Sequence, residues 1–108
     1  MARLRKLSPP AREAARLLGQ QVRLGRRERR WTVQEMAERV GVTEVTLRKV
    51  ERGDPTVALG TAFEAAALVG VPLYDDPQRR ALEVERVAGR LAVLPAAVRR
   101  RASIDDDF

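Results

Sequence analysis

Ten consecutive positions, Thr43 to Arg52, hold two threonines, two glutamates, two arginines and a lysine. Such a set recognises rather than cuts, because it offers hydroxyl and carboxylate acceptors and cationic donors without a nucleophile paired to a base. The whole chain has no histidine and no cysteine, which removes the commonest general base, the commonest metal ligand and any disulfide framework. It has no glycine-rich phosphate loop and no acid cluster at metal spacing, so the sequence points away from an enzyme and implies no cofactor and no metal. If the stretch is helical, Leu47, Val50 and Glu51 share one side. Thr43, Glu44, Val45, Thr46, Arg48, Lys49 and Arg52 are left for the other. A helix that turns polar, β-branched and basic groups outward, entered through a tight turn, is what reading duplex DNA in the major groove demands. The plainer alternative is an αα-hairpin that only packs.

The flanking residues supply the elements that must hold this surface. Thr32 with Glu35 three positions on forms a capping box, which predicts a helix over Val33 to Val40. Gly41 can end that helix in the left-handed region without steric cost. Thr43 caps a second helix running to about Arg52, stopped by Gly53 and Asp54-Pro55. Met36, Ala37, Val40, Val42, Leu47 and Val50 are spaced to form the buried side of the pair.

Upstream, residues 1–8 read as a basic arm, and Ser8-Pro9 as the capped start of a helix from Pro9 to Arg29. Ala11, Ala15, Leu18 and Val22 give that helix an apolar side, and Gly19 and Gly25 permit close packing. Arg26 follows Leu18 and Val22 at the i+4 interval, so it faces inward, where an inward acid must meet it. Glu51 lies beside Val50 on the inner side of the second motif helix, and an Arg26–Glu51 ion pair is expected. Trp31 reads as a packing anchor between helices.

Downstream, Asp54-Pro55-Thr56 is a turn with Thr56 as the expected cap of a helix over Val57 to Val69, its apolar side formed by Leu59, Ala62, Phe63, Ala66 and Leu68. Gly70 ends it, and Val71 to Tyr74 is extended because the residue before proline avoids the helical region. Asp75-Asp76-Pro77 opens a fifth helix over residues 75–95, with Arg79 and Glu83 at i,i+4. Its Val84, Val87, Leu91 and Leu94 offer more apolar surface than covering a small core needs, and a homodimer is expected there. Residues 96–108 turn from three arginines to Ile104, Asp105, Asp106, Asp107 and Phe108, a tail of low apolar content suited to docking on a partner. The fold class is therefore all-α: one helical domain over residues 9–74, followed by an extra helix and a tail.

Of the 108 residues 44% are hydrophobic but only 4% aromatic, so the core is aliphatic. No apolar run approaches the roughly 18 residues a membrane span requires, which excludes a membrane partner and makes the cytoplasm the expected location. The net charge of +6 favours an anionic partner, and its distribution is uneven. Residues 1–30 carry ten basic groups against two acids, whereas residues 31–74 carry four against six. Phosphate attraction must then come largely from the segment before the helix pair.

The ordered run L-G-Q-Q-V-R-L-G-R-R-E-R-R-W-T-V-Q-E-M-A-E-R-V-G-V-T-E-V-T-L-R-K-V-E-R-G-D-P-T, Leu18 to Thr56, resembles the Xre/Cro-type (lambda-repressor-like) helix-turn-helix family of prokaryotic repressors. The resemblance implies a five-helix fold in which the arginine matching Arg26 pairs with the acid matching Glu51. It implies base-reading positions at Glu44, Val45 and Lys49, which suit a cytosine amino group, a thymine methyl and a guanine respectively. Gln34, Thr43, Thr46, Arg48, Arg52 and Thr56 are then suited to phosphates. The later R-x-x-x-R-L-A-x-L-P stretch (Arg86 to Pro95), with the I-D-D-D-F end, resembles antitoxins of the HipB type that accompany HipA-like kinase toxins. That second resemblance implies a dimeric repressor of its own operon, bound to double-stranded DNA at an inverted-repeat operator and to a kinase toxin. A helix-turn-helix fold used only as a protein-interaction module stays open beside it, since residues 31–74 are net acidic.

Overall fold

The computed structural model describes residues 6–96. Its elements are five α-helices: α1 Pro9–Glu28, α2 Val33–Val40, α3 Glu44–Arg52, α4 Leu59–Leu68 and α5 Pro77–Val93. The chain divides into two compact units at Leu73 and Tyr74, the first holding α1 to α4 and the second α5.

Local chemistry fixes the first three helices. Ser8 caps α1 by accepting from the Ala11 amide, with proline at its first turn. Thr32 and Glu35 form the reciprocal box on α2, Glu35 N–H donating to Thr32 Oγ1 at 3.0 Å and Thr32 N–H to Glu35 Oε1 at 2.8 Å. Thr43 accepts from the Thr46 amide at the head of α3. Gly41 and Gly53 close α2 and α3 at φ +87° and +72°, a region that glycine enters freely. α1 ends differently. The Trp31 amide donates to the Arg26 carbonyl and the Arg30 amide to that of Arg27, with Arg30 itself left-handed at φ 60°.

The core of the first unit is Val22, Met36, Ala37, Leu47, Val50, Ala65, Ala66 and Val69. Leu18, Trp31, Val33, Val40, Val42, Val57, Ala62, Val71 and Leu73 pack partly buried against it. α1 and α3 share the most extensive contact, and it is a backbone approach. A Cβ on Gly19 would lie 2.6 Å from the carbonyl oxygens of both Val50 and Glu51, so only glycine fits there.

Three expectations are corrected. Thr56 is not the cap of α4: its amide and hydroxyl both donate to Asp54 Oδ1, at 2.8 and 2.6 Å, and the helix begins at Leu59 behind Ala58 with no side-chain cap. Asp54, two residues earlier, reaches Thr56 locally and so keeps it in the turn. On the expected apolar side of α4, Ala66 is buried and Ala62 and Phe63 are partly so, but Leu59 and Leu68 are exposed, and Ala65 and Val69 are buried in their place. The cause is a second close approach, in which Gly25 leaves a Cβ position only 2.6 Å from that of Val69 and draws the narrow alanine face onto α1. In the second unit Arg79 pairs with its capping residue Asp76 at 3.7 Å rather than with Glu83, which bonds Arg86 instead. The Arg86 bond holds the Glu83 carboxyl below its ordinary range and raises the guanidinium.

Candidate nucleic-acid interface

The outward side of α3 is intact and uncovered. Glu44, Val45, Arg48 and Arg52 are exposed, Val45 at 64%, while Thr46 and Lys49 are half-buried. Of the expected base readers, Val45 and Lys49 neighbour each other on the side of the helix away from Leu47, and Glu44 stands in its first turn. Arg48 and Glu44 stand 3.7 Å apart at i,i+4, so the acid that would repel phosphate has a cation beside it.

The polar groups around α3 are arranged unequally. Thr43 spends its hydroxyl locally, accepting from the Thr46 amide and donating to Thr46 Oγ1 at 3.1 Å. Gln34 is exposed in the first turn of α2, where the capping box satisfies the Thr32 and Glu35 amides and leaves those of Val33 and Gln34 at the positive helix end. Thr56 stands in the turn after α3, not at a helix start, and its bonds to Asp54 set it apart from the other phosphate candidates. Those two Thr56 bonds, and then the charges of Lys49 and Arg52, hold the Asp54 carboxyl below its ordinary range. Arg52 approaches Asp54 at 3.6 Å.

Behind α3, the expected ion pair is present. Arg26 Nε donates to Glu51 Oε2 at 2.7 Å and Nη2 to Oε1 at 3.2 Å, with both side chains about nine-tenths buried. Arg26 Nη1 donates to the Trp31 carbonyl at 2.9 Å, so one guanidinium ties α1, the α1–α2 turn and α3 together. Trp31 is half-buried against the core, and the guanidiniums of Arg39 and Arg29 lie 4.4 and 5.8 Å from its ring centre. That geometry is a structural clamp rather than a base-stacking platform.

Two clefts flank α3 where it meets α1. One is lined by Arg23, Arg26, Arg27, Val33, Arg48, Glu51 and Arg52. The other is lined by Lys6, Leu7, Arg12, Arg16, Arg52, Gly53, Asp54 and Pro55. The charge of residues 1–30 is visible in the sequence, but the side of α1 that faces α3 is set by Gly19 and becomes legible only in three dimensions.

In the second unit, Val84, Val87 and Leu91 line an exposed apolar groove with Tyr74, Arg80, Glu83 and Ala88. Leu94 falls at the cap of α5, outside that groove. Ile104, Asp105, Asp106, Asp107 and Phe108 lie outside the described residues, as does most of the basic arm. No helix among the described residues is long and apolar enough to cross a membrane.

The helix-turn-helix family model matches residues 22–75, half of the chain, and takes in α2, the Gly41 turn and α3. No curated protein and no solved structure matches the chain. With that match, a glycine turn between two capped helices and the outer side of the second helix open, the chain belongs to the Xre-type helix-turn-helix family of DNA-binding transcription regulators.

Proposed function

We propose that the protein is a sequence-specific repressor that inserts α3 into the major groove, reading bases with Glu44, Val45 and Lys49. The observation that carries this reading is the contrast between the two sides of α3. The outer side is open, and the inner one is fixed by a buried bidentate ion pair and a backbone approach. Gln34, Thr46, Arg48 and Arg52 surround the readers and are suited to phosphates, with Thr43 acting first as a cap. Thr56 keeps a lesser place in this set, through the turn it shares with Asp54.

Selection of bound duplexes from a randomised pool yields the operator. On it, Lys49→Ala relaxes preference at one base position by about 1–3 kcal/mol. An equal loss on every sequence assigns Lys49 to a phosphate instead.

The exposed groove of Val84, Val87 and Leu91 on α5 supports a homodimer, for which Leu94 is the peripheral member. A two-fold dimer places its reading helices about 34 Å apart, on an inverted repeat spaced by about 10 base pairs. Light scattering at micromolar concentration gives twice the 12.1 kDa chain mass, and Leu91→Glu returns the single mass. A single mass for the unaltered chain rejects the dimer.

The finer identity, an antitoxin that represses its own operon and binds a HipA-like kinase toxin through residues 104–108, rests on the Arg86 to Pro95 stretch and the acidic, aromatic end. Co-expression with the downstream gene product and co-purification tests it. The competing reading, a protein-interaction module that ignores DNA, draws on the net acidity of residues 31–74.

A further inference from the structure

We propose that α1 carries an arginine rail that grips the DNA backbone beside the reading helix, and that this rail supplies most of the protein's electrostatic affinity for duplex DNA. The inference rests on the DNA-binding reading above and assigns a site to residues outside the helix-turn-helix pair.

Arg12, Arg16, Arg23 and Arg27 recur at intervals of four, seven and four, which places all of them within about 60° of one another on a helix of 3.6 residues per turn. Gly19 falls on the edge of the same stripe. Because Gly19 sits against the Val50 and Glu51 carbonyls, the stripe must run alongside α3. The two clefts confirm the placement: Arg23 and Arg27 face Arg48 and Arg52 across one, and Arg12 and Arg16 face Arg52 across the other. Arg52 belongs to both clefts and joins them into one track.

All four α1 arginines are exposed, and none forms an ion pair among the described residues. The two acids that border the track are already engaged. Glu51 is held by Arg26, and Asp54 takes two bonds from Thr56 and lies near Arg52. Of the acids of α1 itself, Glu28 points away from the stripe by helical period, and Glu13, three residues before Arg16, lies at its edge but pairs with none of the four arginines among the described residues.

From Arg12 to Arg27 the track is about 22 Å long, and a DNA strand presents a phosphate every ~3.4 Å of axis, so it can meet several. Arginine is the residue suited to this, since its planar fork binds phosphate oxygens in pairs and never loses its charge. The rail also resolves the charge imbalance, because the net-acidic segment 31–74 has a cationic neighbour on its groove side.

The test is a salt titration of the full chain on a fluorescent mixed-sequence duplex of 24 base pairs. The comparison is between the unaltered protein, Arg23→Ala/Arg27→Ala, Arg23→Lys/Arg27→Lys, and Arg79→Gln/Arg90→Gln as a charge-matched change in α5. Each lost phosphate contact reduces the slope of log affinity on log salt by about 0.9, so the alanine pair loses close to two and binds on the order of ten- to thirty-fold more weakly at 0.15 M salt. The lysine pair keeps the slope, the α5 control leaves it unchanged, and melting by circular dichroism stays level because the altered residues are exposed. An unaltered slope in the alanine pair, or an equal loss in the α5 control, overturns the rail and leaves the reading helix standing. No salt-sensitive binding by the unaltered protein overturns both.

Discussion

Replacing Arg26 with alanine lowers the unfolding free energy by about 3–5 kcal/mol, measured by urea denaturation of the full chain. The figure follows from what is left behind. Glu51 becomes a buried carboxylate without its cation, and the Trp31 carbonyl loses its donor. Against a typical stability of about 5–15 kcal/mol, that loss brings the first unit close to unfolding at ordinary temperature. Glu51→Ala strands the guanidinium instead and costs a similar amount. The double change Arg26→Met/Glu51→Leu recovers most of the loss, because removing both charges also removes the cost of burying them. A loss below about 1 kcal/mol in either single variant puts the pair among exposed ion pairs and denies it the bracing role.

Gly53→Ala is the second large effect, at about 2–5 kcal/mol of destabilisation. Two independent costs combine. The residue sits at φ +72°, and an added Cβ would lie 2.8 Å from the Ala15 carbonyl oxygen and 2.9 Å from both the Ala15 carbonyl carbon and Arg16 Cα. All three atoms are main chain, so no side chain can swing aside. Gly41→Ala isolates the first cost, since that glycine has φ +87° but nothing within 4 Å of the added atom. It loses only about 1–2 kcal/mol, the conformational part. Equal losses at the two positions show that α1 yields at Ala15 and that the close approach is soft.

The parts of the fold legible in the sequence are those written in local chemistry. The Thr32–Glu35 box, the Thr43 cap, Gly41 and Gly53 each act within four residues, and the ends of α2 and α3 follow from them. The Arg26–Glu51 pair spans 25 positions, yet it was readable because each residue falls on the apolar side of its own helix. What escaped depends on which sides meet. Thr56 carries the residue type of a helix cap, but an aspartate two positions earlier claims it. α4 carries apolar residues on nearly every side, and the approach of Gly25 to Val69 is what turns Ala65, Ala66 and Val69 inward and leaves Leu59 and Leu68 exposed. The arginines of α1 are plain to count, but their direction is set by a glycine whose partners lie in another helix. On the outer side of α3, elimination left seven residues between Thr43 and Arg52, and only the family resemblance singles out Glu44, Val45 and Lys49 among them as base readers.

The seat of α3 on α1 is made of main-chain atoms, two glycines and one buried charge pair, and none of these belongs to the outward side. Docking angle and text are therefore written by separate residues. On the proposed reading, exchanging Glu44, Val45 and Lys49 for other side chains alters what is read without moving the reader, so the scaffold is open to re-lettering for new operators as type is reset in an unchanged frame.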